Sequence, residues 1–485
     1  MNLAAALEAL AAEGGWADDV AYRVGDRTFT HREVHDGAAR TGSLLASLGV
    51  ERGARVMIAS PDGVELVWAF LGAARIGAVA VPVNPRLTVA DHRAAAVEAA
   101  AVVCGTDLVE RFDGLAVVAA EDIEARLTEH APAEPAPVEG SDAAYAQYTS
   151  GTTGSPKPAV HAHGHPLVYV DAFARPAIAL DRTDVVFSVS KLYFAYGLGN
   201  SLFFPLATGC RAVLHAAHPR PDDIAALVRH HGVTVLFSVP TFYAHLVAMT
   251  DPAAFATVRV AVSAGEALGV TLAARARALL GCPILDGLGS TEVGQTFASN
   301  TVERCDDGTV GRALPPYRVA VRDDSGRDVP PGEVGALWVA GPTLPLGSGA
   351  WLCTGDRASV DAEGFLRLQG RTDDMEMVGG ISVSPMEIEA VLVRHPAVTE
   401  VAVAGVVGPD GASRLEAFVV AGPGAPPAGV LEAELVTMAR EELAPFKVPR
   451  SVVLVDALPR TPTGKLRRFV LRGPQPPARS PNRSR

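Results

Sequence analysis

The chain has 485 residues, 48% of them hydrophobic. That suffices for two to four domains of ordinary size and excludes both a peptide-sized scaffold and a disordered chain. Fifty-four acidic residues against 42 basic ones give a formal net charge of -12, which argues against a non-specific binder of nucleic-acid backbones.

At the N-terminus, residues 1–16 carry a helical apolar pattern with no basic segment ahead of it, so a secretory signal is not expected. Residues 67–83 are the most membrane-like stretch, but Arg75 interrupts it. The pattern there turns from WAFLGAARIG to AVAVPV, which predicts a buried helix followed by a core strand and no membrane span. From 44 to 285, helical segments alternate with the β-branched runs ARVMIAS, AVAVPV, AAVVCG, RAVLHA, VTVLFSV and VRVAVSA. Such alternation predicts βαβ units and mainly parallel sheets. APAEPAPVEG (131–140) reads as an extended surface connection between two such blocks.

Between 308 and 368 the style changes to closely spaced short strands with Gly/Pro turns, which suggests a small antiparallel β-unit. Beyond 371, helices at 384–394 and 431–443 alternate with strands at 398–407, 415–420 and 451–455, enough for a compact α+β domain. Residues 473–485 read as a disordered basic tail. Five cysteines without a CxxC spacing fit a reducing, cytoplasmic setting.

The densest chemical signal is YTSGTTGSPK (148–157), which follows the strand-like AAYAQY. Glycines let backbone N–H groups close around phosphate oxygens, hydroxyls add donors, and Lys157 adds a point charge. The spacing is not that of a Walker A loop, because Pro156 stands where that loop needs its second glycine. Just after it, His161, His163 and His165 alternate as strand residues sharing one face. No acidic or cysteine partner accompanies them, so a zinc site is not expected.

Further motifs follow in a fixed order: SAGEAL (263–268), DGLGSTE (286–292), GEVGALWVAG (332–341), TGD (354–356), GRTDD (370–374), VSPMEIE (383–389) and PRTPTGK (459–465). With these the chain resembles the adenylate-forming superfamily of acyl-CoA synthetases, peptide-synthetase adenylation domains and luciferases over nearly its whole length. The resemblance implies an α/β fold with a large N-terminal domain (1–372) of two parallel-sheet αβ subdomains plus a small β-barrel-like unit. A small mobile α+β domain (373–472) would follow as a lid.

The resemblance also implies roles. Thr149, Ser150, Gly151, Thr152, Thr153, Gly154 and Lys157 would hold the phosphates of ATP. Ala264, Gly265 and Glu266 with Asp286 and Gly287 would border adenine, and Asp356 and Arg371 would bind the ribose hydroxyls, one accepting and one donating. Thr291 would contact the α-phosphate, and Glu292 would ligate Mg2+, a hard oxygen for a hard cation. Lys465 would bridge the attacking carboxylate and the α-phosphate. Opposite charges 4 Å apart at an effective dielectric of 20 attract by about 4 kcal/mol. Asp373 matches the hinge position, and Gly379 and Gly380 would border the thiol tunnel.

The segment KLYFAYGLGN (191–200) together with DGLGSTEVGQTFASN (286–300) resembles the benzoate-CoA ligase branch. Phe194, Ala195, Tyr196 and Gly197, with Leu288 and Gly289, would form a flat apolar slot for an aryl acid. Gln295 stands where that branch often carries histidine, and the segment between 341 and 354 is about fifteen residues shorter than in relatives. The expected activity is an AMP-forming aryl-acid:CoA ligase, with ATP, Mg2+ and CoA taking part, no nucleic acid or membrane partner, and a monomeric or homodimeric state. Transfer of the same adenylate to a carrier-protein phosphopantetheine shares every catalytic residue, and a nucleotide-binding pseudo-enzyme is the alternative of another class.

Overall fold

The computed structural model describes residues 1–149, 157–217, 220–249, 251–372, 375–378, 381–407, 413–460 and 466–472, without the side chains at 149, 249, 377–378, 381–382, 407 and 413. They divide into two compact units. The larger comprises Met1–Ala320, Trp338–Thr354 and Asp361–Leu366, and the smaller Val321–Leu337, Gly355–Val360 and Arg367–Arg485.

Two sheets dominate the larger unit. One has six strands in the order Ala116–Ala119, Ala99–Cys104, Arg55–Ala59, Val79–Pro82, Ala143–Thr149 and Lys157–Ala162. All neighbours are parallel except the last pair. The second has nine strands, with a parallel centre of Ile284–Gly289, Val260–Ser263, Val235–Ser238, Val185–Ser188, Arg211–Leu214 and Val20–Val24. Arg27–Thr30 closes one edge, and Thr296–Ser299 with Arg312–Ala313 the other, all antiparallel. Each β-branched run named above forms one of the parallel strands. Such strands are buried on both faces and so read as continuous apolar runs.

The helix Val64–Arg75 is buried along nearly its whole surface, as its apolar residues on every side require. It lies against the helix His31–Ser47, whose start is set by Thr30 and Glu33 in a reciprocal capping box. At Gly72 the two backbones approach so closely that a Cβ would stand 2.8 Å from the Ala38 carbonyl oxygen and the Gly42 nitrogen. Arg75 is accommodated by an ion pair with Glu8 at 2.6 Å and by the Ala133 carbonyl. Residues 131–140 carry no helix or strand and are pinned by backbone bonds from Ala133 to Ala39 and from Ala136 to Arg75. Among the described residues, no helix is long and apolar enough to cross a membrane.

In the smaller unit, Val398–Val407 and Ser413–Ala421 pair antiparallel, and Ser451–Leu454 adds in parallel. The helices Pro385–Leu392 and Ala428–Glu442 bury Ile388, Leu392, Leu431 and Leu435 against that sheet. At about 1.5–3 kcal/mol for each fully buried aliphatic side chain, this core holds the small unit together.

Candidate active site

Thr149 and Lys157 face each other in register where the antiparallel strands Ala143–Thr149 and Lys157–Ala162 meet the serine/threonine-rich loop. Ser150, Gly151, Thr152, Thr153 and Gly154 lie outside the described residues. Lys157 is exposed, and Pro158 pairs with Tyr148. Pro158 costs the sheet nothing, because Lys157–Ala162 is its edge strand and needs no outward N–H.

The other predicted residues of the larger unit collect at the carboxyl ends of neighbouring parallel strands, where open α/β sheets bind ligands. Ala264 and Gly265 follow directly on Val260–Ser263, and Gly265 has a φ of +90° that favours glycine. Glu266 accepts a hydrogen bond of 2.6 Å from the Thr241 hydroxyl. Asp286, Gly287, Leu288 and Gly289 end the next strand; Asp286 is in register with Ser263, and the other three with Ser299, Ala298 and Thr296. Asp286 is buried, and burial pushes its carboxyl well above the usual carboxylate range, opposed by donors from Leu268, Ser263 and Gly287. A buried acceptor at this depth suits a purine amine.

Thr291 and Glu292 occupy the turn between Ile284–Gly289 and Thr296–Ser299, both half-buried. The turn is fixed from several directions. His161 Nε2 donates to the Thr291 carbonyl at 2.9 Å, the Thr343 hydroxyl donates to the Val293 carbonyl at 2.9 Å, and the Val293 amide donates to the Ser290 hydroxyl at 3.2 Å. The half-exposed Glu292 carboxylate suits a cation shared with phosphate oxygens.

Phe194 precedes the short helix Ala195–Leu198. The Tyr196 hydroxyl donates to the Val262 carbonyl at 3.3 Å, and its ring meets Phe237 edge-on at 6.1 Å. Gln295, 2% exposed, reaches the carbonyls of Ala195 and Tyr196 at 3.4 Å and accepts from the Thr296 amide at 2.9 Å. Close approaches surround the segment. A Cβ on Gly197 would stand 2.1 Å from the Lys191 carbonyl oxygen, and one on Gly289 would stand 2.8 Å from that of Gln295.

In the smaller unit, Arg371 Nη1 donates to Asp356 Oδ1 at 3.2 Å, so a carboxylate and a guanidinium stand side by side. Asp373, Gly379, Gly380 and Lys465 lie outside the described residues. Next to Lys465, Arg460 and Leu466 form a β-bridge, and Arg460 pairs with Glu400 at 2.7 Å. Two relationships escape sequence reasoning: the His161 contact to Thr291, and the buried pair Asp62–Lys191 beside the acyl segment. The alternating histidines were the one available signal for the first. Nothing in the sequence announces the second.

Residues 10–347 match the AMP-binding enzyme family and residues 387–465 match the AMP-binding enzyme C-terminal domain. Over 488 aligned residues the chain is 43% identical to the p-hydroxybenzoic acid–AMP ligase of Mycobacterium tuberculosis, covering 98% of this chain and 69% of that one. The crystal structures of a benzoate CoA ligase from Burkholderia xenovorans match with a TM-score of 0.90 and 36% identity, over 98% of this chain and 100% of that one. An anthranilate CoA ligase, solved in complex with anthranoyl-AMP, matches with a TM-score of 0.92 and 30% identity, over 97% and 96%. The chain therefore belongs to the AMP-binding enzyme family and, within the adenylate-forming superfamily, to its benzoate–CoA ligase branch of acid–thiol ligases.

Proposed function

We propose that the protein activates benzoate or a hydroxybenzoate with ATP, forming an aroyl-adenylate and pyrophosphate, and then passes the aroyl group to the thiol of CoA with release of AMP. In the first step a carboxylate oxygen bonds to the α-phosphorus as the bond to pyrophosphate breaks. In the second, the thiol sulfur attacks the acyl carbon and AMP leaves with the electron pair. Splitting the reaction replaces a poor leaving group by a good one.

The observation that carries this reading is Gln295. Its side chain reaches the carbonyls of Ala195 and Tyr196, and its backbone lies three residues beyond Glu292. The proposed acyl slot and the proposed phosphate-contacting turn therefore share one short segment of chain. The loop 149–154 with Lys157 would hold the phosphates. Ala264 to Glu266, Asp286 and Gly287 would border adenine, and Asp356 with Arg371 would take the ribose. Magnesium, when bound through Glu292, would neutralise phosphate charge. Lys465 would stabilise the adenylation transition state from a mobile domain hinged at Asp373, and the same domain would then present Gly379 and Gly380 to the thiol.

A second reading of the acceptor, a carrier-protein phosphopantetheine, is favoured by the 43% identity to a relative named as an AMP ligase. The test is aryl-acid-dependent pyrophosphate exchange across substituted benzoates, followed by mass analysis with CoA and with a phosphopantetheinylated carrier protein in parallel. Exchange with no member of the panel would sink the proposal. Exchange followed by loading of the carrier protein alone would keep the adenylation and replace the acceptor.

A further inference from the structure

The three histidines do not share a strand face as their alternation suggested: His161 lies in the strand Lys157–Ala162, His163 falls in the turn after it, and His165 opens the short helix His165–Tyr169. His163 Nδ1 accepts from the Leu3 amide at 3.1 Å and so holds the first helix, Leu3–Glu13. His161 reaches instead the turn that carries Thr291 and Glu292. It is fully buried on the strand that leaves the serine/threonine-rich loop, in register with Tyr145 across the hairpin. A carbonyl oxygen can only accept, so the 2.9 Å contact from Nε2 to the Thr291 carbonyl puts the ring proton on Nε2. That leaves Nδ1 to accept, and the Tyr169 hydroxyl and His165 Nδ1 lie at 3.4 Å from it.

The ring itself has little freedom. It stacks on Tyr145 with centroids 4.9 Å apart and planes 24° from parallel. The Tyr145 and Tyr169 hydroxyls are 2.9 Å apart. Gly294, at φ +90°, ends the turn against the same group, and a Cβ there would stand 2.0 Å from the Tyr169 hydroxyl oxygen. A tightly seated N–H therefore points at the backbone between two residues assigned to the reacting phosphate and its cation.

We propose that His161 is a positioning residue that ties the Thr291–Glu292 turn to the strand rooted at Lys157, holding the two halves of the phosphate site in register. The inference rests on the role assigned above to Thr291 and Glu292. Losing the N–H leaves a buried carbonyl without its donor and removes the tie nearest Thr291 and Glu292, and misplacement of reacting groups by about 1 Å costs on the order of 100-fold in rate.

The experiment compares His161→Ala with His161→Gln, whose amide nitrogen can stand where Nε2 stood. For each variant, the Kd for ATP is measured by calorimetry with and without magnesium, together with kcat and KM in pyrophosphate exchange and the Tm. His161→Ala is expected to lower kcat by about 10- to 100-fold and to shrink the magnesium-dependent gain in ATP affinity, while KM for the aryl acid stays within about twofold. His161→Gln is expected to recover most of both. Wild-type exchange and magnesium response in His161→Ala would overturn the inference. So would losses that track Tm alone, or a glutamine variant no better than alanine. Glu292→Gln serves as the separate control: if it leaves the magnesium response intact, the reading of the turn has failed, whatever His161 does.

Discussion

Asp62 Oδ2 and Lys191 Nζ lie 3.8 Å apart with both side chains almost wholly withdrawn from water. Asp62 also accepts from the Leu192 amide at 2.9 Å, and Lys191 donates to the His215 carbonyl, so the pair fixes the start of the segment 191–197. Burial lifts the Asp62 carboxyl to about 6 against the pull of Lys191 and the Leu192 amide, and burial also lowers the Lys191 ammonium against the pull of Asp62. Removing one partner strands the other. Asp62→Ala is expected to cost about 3–5 kcal/mol of unfolding free energy, and Asp62→Asn combined with Lys191→Met to cost less. Denaturant unfolding measures both; a single variant within about 0.5 kcal/mol of wild type would contradict the arrangement.

Acid should destabilise the protein before its ordinary carboxylates titrate. Burial pushes His31, His35, His161, His163 and His165 down to about 4. The unfolded chain takes up their protons near pH 6.5, so the stability present above that value is lost as pH falls toward 4, at about 1.4 kcal/mol per pH unit for each histidine. Asp62 and Asp286 act in the opposite sense, because burial raises them and the folded state holds their protons longer. The histidines outnumber them. Urea midpoints are therefore expected to fall between pH 6.5 and 5, and midpoints that hold or rise would count against this balance.

Lys465→Ala is expected to suppress adenylation by about two to three orders of magnitude while leaving thioester formation from supplied aroyl-adenylate within about threefold of wild type. Equal losses in the two half-reactions would refute the assignment of its charge to the first step.

The ribose-binding role proposed for Asp356, which stands 3.2 Å from Arg371, predicts a nucleotide-specific defect. Asp356→Asn is expected to raise KM for ATP about tenfold with KM for the aryl acid unchanged, the loss of one charge-assisted hydrogen bond. Steady-state kinetics with each substrate varied in turn decides it; a rise in the acid KM instead would move Asp356 out of the nucleotide site.

Much of this was legible in the sequence, and the reasons are local. The parallel strands Val79–Pro82 and Val260–Ser263 announce themselves because burial on both faces demands small and apolar residues at successive positions. The helix Pro385–Leu392 is marked by Pro385 at its first position and the apolar spacing behind it. The hairpin Val20–Thr30 was not legible as part of the nine-stranded sheet, because its neighbour Arg211–Leu214 is far along the chain and parallel pairing leaves no turn signal between them. The same holds for His161 and Thr291, 130 positions apart. Their residue types are ordinary, and only folding brings a donor to that carbonyl.

The crowding around Gly197 and Gly289 limits how the enzyme can be re-engineered. Any side chain at either position would meet backbone oxygen, which cannot swing aside as a flexible side chain can. Under the proposed acyl slot, libraries aimed at bulkier or differently decorated rings should therefore leave both glycines alone and vary Ala195 and Gln295 together, since the amide of one rests on the carbonyl of the other.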